Sequence, residues 1–318
     1  VWGYVKYTHP VFLLGERDWD EELLKLIPAV SKADSDEVNG ILHEWFLSLG
    51  EIDYGMTTSI STLQEDKLCV QADVSWIKDI AYLGKDLSED MQLLGPIPSI
   101  YRANAPVKFT ANLMGTRVTD FSNEALYENM DFGDQGYRLL GLFRLWNAME
   151  YYYPYLDILD NNWHDLLPEY IARMLEGKNQ ESYELTIASL SAKLQDAHVA
   201  LYNSKYTILE AGIYGVPVKI MQAEGEIVVT EVLLEDDCPL QRGDIIRELD
   251  GKNIRDILAE RMEYFSVTTE KKFINKIGHF LLRSNDKNIE LTISRDGIEQ
   301  TVSVEGEMAY YSMRETAE

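Results

Sequence analysis

The spacing of apolar residues changes character near residue 206. Upstream, helical periodicity dominates: Leu139, Leu142, Trp146 and Met149 fall on one helical face, and Leu140 and Phe143 widen the stripe. Downstream, short β-branched runs take over. Ile227 to Val232 follows the turn residue Gly225, and a short strand is expected between Gly243-Asp244 and Asp250-Gly251. A further Asp-Gly pair, Asp296-Gly297, joins Ile289 to Ser294 with Gln300 to Val304 as a hairpin. Helical patterns intervene at Ile254 to Phe265 and Glu270 to Leu282. The pattern predicts an α+β chain: a mainly helical region over 1–205, a strand-rich domain over 206–306, and a tail over 307–318.

Self-comparison reveals a repeated unit in the helical region. Trp2 leads Pro10 by eight positions with Tyr7 three before the Pro, and Trp146 stands in the same relation to Pro154 and Tyr151. A second Trp follows each Pro, at Trp19 and Trp163, and Leu23 and Ile27 match Leu167 and Ile171 at the same offset of 144. Each copy reads as an aromatic helix stopped by Pro, a short loop, and an amphipathic helix entered at Trp. Asp18, with Glu21 three residues on, suits a helix start, because its carboxylate can accept the free N–H groups of the first turn. Residues 51 to 133 are mixed, with β-prone pieces at Lys67 to Val74 and Val107 to Leu113 around the punctuation Gly95-Pro96-Ile97-Pro98.

Composition narrows the function classes. Apolar residues make up 46% and aromatics 11%, enough for packed cores. The net charge of −25, from 54 acids against 29 bases, disfavours nucleic-acid binding. No apolar run approaches the roughly 18 residues needed to cross a bilayer. Cys69 and Cys238 are far apart and imply neither a metal site nor a disulfide framework. The sequence opens inside an aromatic helical segment, which reads as a trimmed end with any targeting segment upstream.

Candidate chemistry is sparse. The five histidines lack metal spacing, and His43-Glu44 has Leu47 where a zinc-protease helix needs its second His. No nucleophile elbow and no phosphate-binding glycine loop is present. Asp196-Ala197-His198 sits at a helix-to-strand transition, where Asp196 and His198 read as a hydrogen-bonded junction or as part of a substrate groove. Arg242-Gly243-Asp244 reads as a turn.

The segment RGDIIRELDGKNI resembles PDZ domains of bacterial proteases, and GVPVKIMQAEGEIVVTEV resembles the peptide-binding strand and its hairpin partner in those domains. Upstream, GYRLLGLFRLWNAMEYYYPY, NNWHDLLPEYI and LQDAHVALY are similar to the region before the PDZ domain in a multi-domain branch of the tail-specific, or C-terminal-processing, serine peptidases. VWGYVKYTHP with RDWDEELLKLIPAV resembles the opening of that branch. The resemblance implies a small β-barrel or sandwich with helices, which captures an extended peptide as an added strand and holds its terminal carboxylate by loop N–H groups. By that similarity the loop is Gly212-Ile213-Tyr214-Gly215, and the docking strand runs from Val216 through Val218 to Ile220. Pro217 departs from the pattern, since it has no N–H to offer an incoming strand.

Members of the family cut with a Ser nucleophile and a Lys base in a domain downstream of the PDZ domain. No matching pair lies in this sequence, so the chain itself is expected to be catalytically silent, with no catalytic residue, metal or cofactor. The implied partners are a polypeptide substrate or C-terminal peptide and the downstream catalytic domain, and the implied location is extracytoplasmic, periplasmic or secreted. A stand-alone peptide-binding adaptor and a structural assembly module are the alternatives.

Overall fold

The structure, a computed structural model, describes residues 1–52, 72–94, 102–111, 117–199, 201, 212–234 and 238–308. The expected Gly95 to Pro98 turn, most of Lys67 to Val74, the end of Val107 to Leu113 and most of the tail lie outside the described residues. The fold is mixed helix and sheet, as the α+β pattern predicts. Two compact units divide it: Val1–Ile158 with Asn162–Lys178, and Leu159–Asn161 with Asn179–Glu318.

In the first unit, α1 (Trp2–Thr8), α2 (Pro10–Leu13), α3 (Trp19–Val30) and α4 (Ser35–Ser48) are followed by the short α5 (Ile80–Leu83) and α6 (Lys85–Met91). A small hairpin of β1 (Lys108–Ala111) and β2 (Arg117–Asp120) precedes α7 (Gln135–Tyr152) and α8 (Trp163–Glu176). Local chemistry sets the helix starts. Asp18 Oδ1 accepts the amides of Asp20 and Glu21 at 2.8 and 3.0 Å, so α3 begins at Trp19. Asn162 plays the same part for α8 by accepting the amide of His164 at 3.1 Å. Trp2 Nε1 donates to the Trp19 carbonyl at 2.8 Å, and 144 residues later Trp146 Nε1 donates to that of Trp163 at 3.2 Å. Trp2, Val5, Phe12, Trp45, Phe46 and Met91 form the centre of the core.

The apolar stripe expected on α7 is only partly the buried one. Leu139, Leu140 and Leu142 are buried, whereas in the second half Asn147 and Glu150 are buried more completely than Trp146 and Met149. Close approach of α1 explains the first: a Cβ on Gly3 would lie 1.7 Å from Asn147 Oδ1. Pairing explains the second, because Glu150 Oε1 lies 3.2 Å from His164 Nε2.

The second unit holds α9 (Gln180–Ala192) and the strand-rich segment. Its main sheet is antiparallel, in the order β10 (Ile298–Glu305), β9 (Asn288–Arg295), β6 (Ile245–Leu249), β5 (Glu226–Val232), β4 (Val218–Ala223), with β7 (Lys252–Asn253) attached to β6. A second sheet places β3 (Tyr214–Gly215) between β8 (Arg283–Ser284) and β11 (Glu307–Met308). Helices α10 (Ile254–Met262) and α11 (Glu270–Ile277) complete the unit. Three two-residue turns carry positive φ at both positions: Glu224-Gly225, Asp250-Gly251 and Asp296-Gly297. That is the backbone that matches the twist of a tight hairpin, and it explains why Gly stands second in each. Ile227, Val229, Ile246, Phe273, Leu281, Ile289, Leu291 and Ile293 fill the core.

The expected barrel is not formed. Among the described residues the sheets are open, with β4 and β10 as edges of the larger one. Closure would require those two strands to pair, and among the described residues they do not.

Candidate functional site

The free edge of β4 is the site that the fold sets apart. Backbone alternation decides which groups face outward. Val229 donates its amide to the Asp244 carbonyl and accepts the Gly243 amide, both at 2.9 Å, so it points toward β6. Its cross-strand neighbour Ile220 therefore points away from β5. At the hairpin end, Ala223 pairs with Glu226 beside the two-residue turn, which turns Gln222 outward as well. Ile220 and Gln222 thus present N–H and C=O along an edge that no described strand covers.

Helix α11 runs antiparallel beside this strand. Gln222 Nε2 donates to Glu270, the first residue of α11, and Glu270 also accepts from Arg255. At the other end, a Cβ on Gly278 would lie 3.3 Å from Ile220 Cγ1. The amphipathic spacing of Phe273 and Ile274, both buried, seats α11 on the core. Strand edge and helix together form one side each of a linear site.

The residues expected to form this site are distributed as follows. Gly212, at φ +102°, lies against the backbone of Ser284, where an added Cβ would approach to 2.6 Å. Ile213 is 40% exposed. Tyr214 and Gly215 form the central strand of the small sheet, paired with β8 on one side and β11 on the other. Val216 and Val218 send their side chains into the core. The Val216 amide donates to the Leu282 carbonyl at 3.0 Å, and the Val218 amide to the Val216 carbonyl at 2.8 Å. Ile220 lies against Gly278, the residue that follows α11.

Asp196 and His198 form a local turn. Asp196 Oδ1 lies 2.9 Å from both the amide and Nδ1 of His198, whose side chain is 96% exposed, and the Asp196 amide donates to Ser266 Oγ at 2.9 Å. The Arg242-Gly243-Asp244 turn is locked rather than displayed. Asp244 is 1% exposed, and its two oxygens accept Arg295 Nε and Nη2 at 2.7 Å each. Among the described residues, no group of three His, Cys, Asp or Glu side chains converges as a metal site would require.

Sequence reasoning missed Gln222, Glu270 and Gly278. Glu270 is legible in retrospect as the acid of a first helical turn after the N-cap Thr269. Nothing in the spacing links it to Gln222, 48 residues away.

No family profile and no curated protein matches the chain. Solved structures similar to it include mature CPAF, a chlamydial serine protease, at 15% identity and a TM-score of 0.40, covering 53% of this chain and 34% of that one. Mature CPAF complexed with lactacystin is similar at 13% identity and a TM-score of 0.38, with 53% and 34% covered. The chain spans about a third of the length of these proteins.

Proposed function

We propose that the chain is the polypeptide-recognising part of a serine-type peptidase, with a PDZ-like second unit that binds an extended peptide as an added strand along β4. The observation that carries this reading is the open edge at Ile220 and Gln222 with α11 beside it. An uncovered edge strand is a template for pairing, and folds usually blunt such edges. Here the edge instead faces a helix, which is how strand-adding peptide sites gain side-chain specificity on top of main-chain hydrogen bonds. The resemblance of the sequence to tail-specific peptidases supplies the peptidase context. In that context a Ser/Lys pair in a further domain does the cutting outside the cytoplasm. The duplicated Trp–Pro–Trp helices of the first unit serve as a platform.

The test is binding of a random-sequence decapeptide pool to the whole chain and to Gln222→Pro. Proline there deletes one outward N–H and spares the β4–β5 ladder, as edge positions allow. The reading expects the pool to bind and the variant to lose at least about fivefold, one main-chain hydrogen bond. Equal binding by both chains contradicts it.

A further inference from the structure

The two copies of the Trp–Pro–Trp repeat differ at one place in a way that carries chemistry. At the offset of 144, Lys6 corresponds to Glu150 and Asp20 to His164, so the charges are reversed between equivalent positions. In the first copy they balance. Lys6, 0% exposed, has its Nζ 4.8 and 5.8 Å from the ring centroids of Trp2 and Trp19, and forms an ion pair with Glu124 Oε1 at 2.6 Å. Glu124 arrives from the segment between the copies, and its Oε2 accepts Trp19 Nε1 at 3.2 Å. Arg144 lies 2.9 Å from Glu124 and 3.5 Å from Asp20, so two cations meet two anions.

The second copy lacks that balance. Glu150 is 5% exposed; its Oε1 lies 3.2 Å from His164 Nε2, while Oε2 is buried without a hydrogen-bond partner. Burial pushes this carboxyl up, His164 opposes the shift, and the negative charge of Asp73 adds to it. One imidazole therefore serves two acids, and a buried carboxylate oxygen left unpaired is costly. The aromatic pair is kept, with Trp146 and Trp163 in place of Trp2 and Trp19. Trp163 Nε1 donates to the Trp146 carbonyl at 3.2 Å, so the indole that receives an acid in the first copy is occupied here. This face is also more open. The His164 side chain is 55% exposed against 1% for Asp20, and Trp146 is half-buried where Trp2 is buried.

We propose that the second copy binds a basic side chain of a polypeptide, a lysine ammonium that takes Glu150 Oε2 and lies over Trp146 as Lys6 lies over Trp2. The first copy shows a chain segment inserting a charged side chain at the equivalent place, and the change from Lys6 to Glu150 sets the sign of the insert. His164 turns aside to admit it. The aromatic ring adds to the attraction for an ammonium, and the net charge of −25 favours the encounter. Among the described residues no three His, Cys, Asp or Glu side chains converge as metal ligands, so the group suits an organic cation.

The test follows the indole N–H signals of Trp146 and Trp163 by NMR on the whole chain, at about pH 8, where lysine keeps its ammonium. The probes are N-acetyl-lysine methylamide and its uncharged isostere, N-acetyl-norleucine methylamide. The lysine probe should shift those signals saturably, and the norleucine probe should bind at least about tenfold more weakly, the difference made by one hydrogen bond to a charged group. Glu150→Gln should weaken the lysine probe by a similar factor and leave the norleucine probe unchanged. Should that variant fail to fold, Asp73→Asn, at an exposed position, decides: weaker lysine binding supports the site and unchanged binding overturns it. Equal shifts with both probes, no shift with either, or lysine binding that survives Glu150→Gln overturns the proposal. The site is built within the first unit, so its failure leaves strand addition along β4 standing.

Discussion

The carbonyl of Pro217 accepts the amide of Leu233 at 2.9 Å. Pro217 precedes β4 and is the middle residue of a tight turn in which the Val218 amide donates to the Val216 carbonyl at 2.8 Å, so it lies outside the edge at Ile220 and Gln222. The proline therefore removes nothing that an incoming strand would use. Pro217→Ala should leave affinity for the peptide pool within about twofold of the original, a change worth less than one hydrogen bond. A large gain on substitution would mean that the edge begins earlier than Ile220.

Gly3 and Asn147 occupy the same position in the two Trp-led helices, 144 residues apart, and they touch. Tyr7 and Tyr151, again at that offset, contact edge to face at 5.6 Å. Gly3→Ala should destabilise the first unit by about 1–3 kcal/mol through overpacking. Combining it with Asn147→Ala should recover much of that loss, because the obstructing atoms are gone. Thermal melts of the two single variants and the double variant check this, and strict additivity would contradict the contact.

Asp244 and Arg295 close the turn after Leu240. Asp244→Asn leaves the Arg295 guanidinium with a neutral partner in a site where the carboxylate is 1% exposed. Breaking such a buried pair costs about 3 kcal/mol, and the variant should unfold at correspondingly lower denaturant. A loss under about 0.5 kcal/mol would class the pair with exposed surface bridges.

His9 gives a pH signature. Burial first, and Arg17 second, hold its imidazole down at about 4 against an ordinary 6.5. Its Nδ1 accepts the Val11 amide at 3.2 Å, which requires the neutral ring. Between pH 6.5 and 4 the unfolded chain binds a proton that the folded chain refuses. The stability contribution is therefore whole above pH 6.5 and is lost as pH falls toward 4, at up to about 1.4 kcal/mol per pH unit. His9→Asn keeps a capping acceptor and cannot titrate, so its stability should depend less on pH in that window. Parallel curves for both proteins would contradict the assignment.

The legible parts of the sequence were those written locally. Asp18 and the Asp-Gly pairs act within a few residues, so helix starts and hairpins could be read from order alone. Gly243-Asp244 and Asp250-Gly251 bracket β6 as their chemistry requires. The site was less legible because it is made by long-range contacts. Which residues of β4 face outward depends on the hydrogen bonds of Val229 to β6, and these are invisible in the sequence of β4. The burial of Asn147 and Glu150 likewise follows from Gly3 and His164, not from the periodicity of α7. Barrel closure failed as an expectation because strand order, unlike strand identity, is not encoded in alternation.

Hydrogen exchange at four consecutive amides tests strand addition most directly. In the free chain the amides of Met221 and Ala223, facing β5, should be protected, and those of Ile220 and Gln222 should exchange faster. With the decapeptide pool bound, Ile220 and Gln222 should become protected while Met221 and Ala223 stay as they were. Peptide binding that leaves the Ile220 and Gln222 amides unprotected would contradict addition along β4.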